Sequence, residues 1–178
     1  MTEPSPESAP AFEMAGPFIA EAVAGQIDRD ARRVAMALHR LILLGEDSFY
    51  GSLASFAVLA TAAVPRGTQP GATWGPALFV GNPPRRVSID ADPAAAFAFR
   101  FLAATLNGDE QFRLALWNAF LDRAVGRIES EPEETRAEVA SAFVLMVQLA
   151  ARGQRAIADR EHRTHQHPNA RRRDQRKR

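Results

Sequence analysis

Apolar residues recur along this chain at helical spacing in five stretches. The first opens near Pro17 and carries Ile19, Val23, Ile27, Val34, Leu38, Leu41 and Ile42, mostly three, four or seven residues apart. That spacing is one face of an α-helix. Asp28, Arg29, Asp30, Arg32 and Arg33 supply its wet side, and Gly45 is placed to end it. Pro17 suits a first turn, where a missing N–H is not needed. Residues 49–64 form a second helix, apolar on nearly every side and therefore expected at the centre of the bundle. Asp47 or Ser48 is positioned to cap it, and Pro65 and Gly67 to end it.

Between this helix and the next, glycine and proline dominate, and GTQPGATWGP reads as a loop. Residues 77–81 and 85–89 then predict two short strands around Asn82-Pro83-Pro84. A lone hairpin is marginal in water, so it has to pack on the helices or pair with another chain. Asp92-Pro93 opens a third helix: aspartate accepts from free amides, and proline lacks the N–H that would go unused. It stops at Asn107-Gly108, and Asp109 starts a fourth. There Leu114, Trp117, Leu121, Val125 and Ile128 form a stripe with Phe112, Leu116 and Phe120 beside it, which predicts contacts on two sides. Ser130 and Glu133 fit a capping box at the head of a fifth helix. Its Val139, Phe143, Met146, Leu149 and Ala150 face the core, and it continues past Gly153 to about Arg160.

The expectation is a mainly α fold: a compact bundle of about five helices with a small β-hairpin. The folded domain spans 16–160, between a disordered N-terminal segment, 1–15, and a basic disordered tail, 161–178. A chain of 178 residues is enough for one domain with a real core, and 46% hydrophobic content argues against overall disorder. The uncharged run from Ser48 to Pro65 is slightly short for a bilayer span and diluted by Gly51, Ser52, Ser55 and Thr61, so it reads as a buried helix. The acidic, proline-rich start lacks the basic and apolar regions of a secretory signal, which favours the cytoplasm. All but one of the 22 basic residues are arginine, a bias expected of GC-rich bacterial coding DNA.

Charge changes the picture more. The net +1 conceals a body, residues 1–151, at −6 and a C-terminal stretch, residues 152–178, at +7. Arg171, Arg172, Arg173, Arg176, Lys177 and Arg178 cluster at the end, with Arg163 leading in from the helix, whose Arg152, Arg155 and Arg160 extend a basic stripe. A flexible arginine arm grips phosphate and releases counterions without reading sequence. With no aromatic residue the tail has no stacking platform for bases, and with no apolar anchor it is a poor membrane tether.

Little catalytic chemistry remains. There is no cysteine, hence no disulfide and no thiolate site or nucleophile. The single lysine, Lys177, cannot serve a P-loop, and no G-x-S-x-G, H-E-x-x-H, G-x-G-x-x-G or Glu-x-x-His pair exists. Asp90 and Asp92 form a D-x-D, but Asp92 has a capping role to fill. His162, His165 and His167 have imidazoles for Zn²⁺ or Ni²⁺, though Pro168 and the arginines beside them predict mobility rather than a fixed site. Glu46 and Asp47 suit a helix start. No cofactor and no metal are expected. The functional expectation is a non-enzymatic helical binding or accessory protein whose tail engages nucleic acid non-specifically. Two alternatives stand beside it. One is a small-molecule or enzymatic pocket between the second and fourth helices, near His39, Tyr50, Trp74 and Trp117. The other is a subunit of a larger assembly, homo-oligomeric or with a protein partner, joined at the hairpin edge.

Overall fold

The computed structural model describes residues 8–64, 78–80, 85–87, 90 and 92–166. Among them six helices form, one more than the hydrophobic pattern predicts: α1 Ser8–Asp28, α2 Ala31–Leu43, α3 Glu46–Thr61, α4 Pro93–Asn107, α5 Glu110–Arg127 and α6 Pro132–Gln166. Two three-residue strands, β1 Leu78–Val80 and β2 Arg85–Val87, pair antiparallel with Leu78 opposite Val87 and Val80 opposite Arg85.

The extra helix arises at Asp28-Arg29-Asp30, which is a turn and not the wet flank of one long helix. Arg29 takes a left-handed φ of 61°, and the Asp30 carboxylate caps α2 by accepting from the Arg33 amide at 3.0 Å. Apolar periodicity runs through this break because α1 and α2 bury their stripes in the same core. Arg33 holds the turn closed with a two-pronged pair to Glu21 (2.6 and 3.0 Å) and a bond to Asp28 (2.9 Å). Hydrogen bonding to Arg33 lowers the Glu21 carboxyl below its ordinary value against the opposing effect of desolvation, and the same bond raises the Arg33 guanidinium. Both side chains are partly exposed, so the pair fixes geometry more than it stabilises.

Other helix ends follow their sequence signals, except that α6 runs to Gln166, past the expected end near Arg160 and into the stretch expected to be a disordered tail, and that three helix starts need correction. Asp92 accepts from the Ala95 amide at 3.1 Å with Pro93 at the first helical position, and Asp109 accepts from the Phe112 amide at 2.9 Å. Gly108 ends α4 in the left-handed region. However, α1 starts at Ser8 and carries Pro17 inside it. Gly45, at φ 95°, precedes α3, which places Asp47 and Ser48 in the first turn and not at the cap. The Ser130–Glu133 capping box does not form: the Ser130 hydroxyl donates to the Arg127 carbonyl, and Glu133 pairs with Arg136 at 3.0 Å. The Glu131 carbonyl instead accepts the Thr135 amide at 3.0 Å to begin α6.

α3 is the central helix, as its all-round apolar composition predicts, packing on α6, α1, α4 and α2. Leu53 and Phe56 of α3 share one buried cluster with Leu41, Phe101, Phe143, Met146 and Val147, all fully buried. α6 lies against α3 backbone to backbone at Gly153, where a methyl group would overlap the Leu59 carbonyl oxygen. Farther along α6, Arg155 donates to the Ile27 carbonyl at 3.0 Å and Arg160 donates to the Ala62 carbonyl. These carbonyls belong to the last turns of α1 and α3, where acceptors lack helical partners and the helix dipole favours a cation. No described helix is long and apolar enough to cross a membrane.

Candidate functional site: an apolar cleft between α2, α5 and α6

α5 departs furthest from its predicted burial. Trp117 and Phe120 are buried, but Phe112, Leu114, Val125 and Ile128 are exposed, Val125 at 71%. Two-sided packing is therefore not what this chain provides. α5 leans on α4, where Phe120 stacks on Phe97 with centroids 4.2 Å apart, and it meets α6 only lightly. Its far end is held by charge: Arg123 and Arg127 reach Glu138 of α6 at 3.3 and 2.8 Å, and Arg127 also pairs with Glu131. Hydrogen bonds to Glu131 and then Glu138 raise the Arg127 guanidinium above its ordinary value.

The space left open is a cleft of about 530 Å³. One wall is the α2 face Ala35, Leu38, His39 and Ile42; the other is Ala124 and Val125 of α5 with Ile128 at its C-terminal cap. The α6 residues Thr135, Val139, Ala140, Phe143 and Val144 run along it, and Phe49 of α3 closes one side. Phe49 and Phe143 stack with centroids 3.8 Å apart and planes 7° from parallel, and both meet Trp117 edge-on. Such volume and apolar lining belong to the usual range of small-ligand pockets.

Among the described residues, three polar side chains line this surface. His39 and Arg136 are exposed. Thr135 is 3% exposed, and its hydroxyl has no hydrogen-bond partner. Among the described lining residues none is acidic.

Of the four pocket residues expected from sequence, the structure brings one, His39, to this cleft. Tyr50 and Trp117 belong to the aromatic core, 5.9 Å apart, and the Tyr50 hydroxyl accepts from Arg113 at 3.3 Å. Both helices of the expected pocket, α3 and α5, border the cleft, but α2 and α6 form most of it. Trp74 lies outside the described residues, as do Arg171, Arg172, Arg173, Arg176, Lys177 and Arg178. Arg163 is exposed and donates to the Asp159 carbonyl at 3.1 Å. Since Arg155 and Arg160 are engaged with helix ends, the basic stripe expected along α6 is in part structural. The D-x-D is structural as well: Asp92 caps α4, and Asp90 pairs with Arg100 at 2.5 Å. Among the described residues no cluster of three or more His, Asp or Glu is arranged to hold a metal.

Thr135, Val125 and Ile128 were not among the expected pocket residues. A signal for Thr135 exists: it stands four and eight residues before Val139 and Phe143, a hydroxyl in register with an apolar stripe. Nothing in the spacing of Val125 and Ile128 distinguishes cleft from core.

The fold and cleft thus define a six-helix bundle, with one short strand pair among the described residues, and an apolar recess. Comparison with protein-family models, curated proteins and solved structures gave no significant match.

Proposed function

We propose that this chain is a non-enzymatic helical binding protein that holds an apolar small molecule between α2, α5 and α6. The observation that carries this reading is the cleft itself: about 530 Å³, lined almost wholly by aliphatic and aromatic side chains, with Val125, Ile42 and Ile128 left exposed at its walls. Enclosing a ligand there removes apolar surface from water on both partners, at roughly 25 cal/mol per Å². Among the described residues, the titratable side chains that line the cleft are His39 and Arg136, and no set of groups for acid–base or nucleophilic chemistry is gathered there.

A thermal-shift panel of uncharged aliphatic and aromatic compounds tests this. A ligand at a hundred times its Kd stabilises by about 2.7 kcal/mol, a rise of roughly 5–10 °C for a chain of this size. Val125→Asp, which places a charge in the wall, should remove the rise. Flat melting curves across the panel would overturn the reading.

A second reading is favoured by the charge split of −6 and +7 between body and C-terminal stretch. In it the arginine-rich end binds nucleic acid through phosphate. Cutting after Gln166 keeps all of α6, including the Arg160 bond to α3. Anisotropy with labelled duplex DNA and single-stranded RNA should show binding that falls steeply with salt in the full chain and vanishes in the truncated one. Equal affinity of the two chains would refute it.

A further inference from the structure

The charged groups lining the cleft narrow the class of its ligand, an inference that rests on the cleft reading above. α6 runs along the cleft with a fixed polarity. Arg136 stands toward its N-terminal end, and Val139, Ala140, Phe143 and Val144 follow three, four, seven and eight residues later. Those intervals trace one face of a helix, so a guanidinium leads into an apolar stripe. From Arg136 to Val144 the stripe is roughly 12 Å long at ~1.5 Å rise per residue. An extended chain of about ten bonds covers that distance. Ile42 of α2 and Val125 of α5, 54% and 71% exposed, belong to the other walls and would gain cover from such a chain.

The sign of the ligand's head follows from the same lining. The Arg136 side chain is 67% exposed, so a charged group paired with it stays in water while the chain behind it leaves water. Arg136 already bonds Glu133 through Nη1 at 3.0 Å. A guanidinium carries five donors, so that bond leaves room for a second carboxylate. Glu133 is itself exposed and three residues away on the same helix, a pairing that holds Arg136 only weakly. His39, the other titratable side chain among the described lining residues, is neutral or positive, and none of those residues is acidic. An ammonium head would meet a like charge at Arg136, and a carboxylate an opposite one. We infer that the cleft takes an amphipathic anion: an unbranched apolar chain of medium length lying along α6, with its carboxylate at the exposed Arg136.

The test is calorimetry of the full chain with probes of one length, kept below micelle-forming concentration: decanoate, 1-decanol and decylammonium. Decanoate should bind tightest, and high salt should erase its advantage over decanol. Arg136→Gln should weaken decanoate about fivefold and leave decanol unchanged. Glu133→Gln removes the competing carboxylate and should tighten decanoate. Val125→Asp, in the opposite wall, should weaken every probe. If decanol or decylammonium matches decanoate, or if Arg136→Gln leaves decanoate unchanged, while Val125→Asp still abolishes binding, this inference fails and the cleft reading stands. If decanoate binds Val125→Asp as well as it binds the native chain, it sits outside the cleft and both fail. If none of the probes binds, both fail as well.

Discussion

Gly153→Ala is expected to destabilise the protein by about 2 kcal/mol or more, although alanine favours a helix over glycine by about 1 kcal/mol. The substituted position lies within α6, so propensity alone predicts a gain. Space predicts the reverse. A Cβ at Gly153 would overlap the Leu59 carbonyl oxygen, lie 2.6 Å from its carbon and 3.0 Å from the Ala60 Cα. These are backbone atoms of α3 and have no rotamer to escape into. α3 and α6 would have to part along one of the most extensive interfaces of the bundle, loosening Phe56, Ala60, Val147 and Ala150 together. Gly126→Ala is the matched control: it lies in α5, a Cβ there meets nothing within 4 Å, and stability should rise by up to ~1 kcal/mol. Urea unfolding of both variants reads the difference. A neutral or stabilising Gly153→Ala would mean that the two helices do not approach this closely.

How far the sequence reveals this arrangement depends on whether a feature is local. The start of α4 is legible because Asp92 and Pro93 act within one turn, and the start of α5 because Asp109 does. The centrality of α3 is legible because a helix apolar on all sides has no wet face to show. The break at Arg29 is hidden because two helices that share a core keep a common apolar period across their turn, and arginine is not a residue that announces a left-handed φ. Gly153 reads in sequence as a weak point in a helix; its role depends on α3, almost a hundred residues away in the chain. Arg155 and Arg160 read as part of a phosphate-binding stripe for the same reason, since the carbonyls of Ile27 and Ala62 are contacts at long range.

The cleft was legible only as a surplus. α5 carries more apolar surface than one neighbour can cover, and the stripe pattern implies two-sided packing. What the pattern lacks is whether the second side is protein. α2 and α5 are separated in sequence by α3 and α4, and no periodicity within either helix records the gap between them. His39 stands out in the sequence as a polar residue among apolar neighbours, which is what a cleft-lining position looks like locally. Tyr50 and Trp117 read as pocket residues because aromatic side chains can line a cavity, and the fold uses both in its core.

Phe143→Ala is expected to cost about 3–5 kcal/mol, a large share of the 5–15 kcal/mol typical of a domain. Phe143 is 2% exposed and meets three parts of the bundle at once: it stacks on Phe49 of α3, meets Trp117 of α5 edge-on, and belongs to the α6 face that packs on the core. Losing the ring removes its own transfer from water and leaves a void that Phe49 and Trp117 cannot both fill. The position also lines the cleft, which sets this variant apart from a cavity elsewhere in the core. The void should open into the recess and admit water, so the protein should bind a bulkier apolar ligand while melting earlier. Phe49→Ala should cost less, because Phe49 is only half-buried. The double variant should cost less than the two single losses together, with a coupling of about 1 kcal/mol from the stacked pair. Chemical unfolding of the four proteins of this cycle measures that coupling. Strict additivity would show that the rings do not stack, and would remove the closed wall on which the cleft depends.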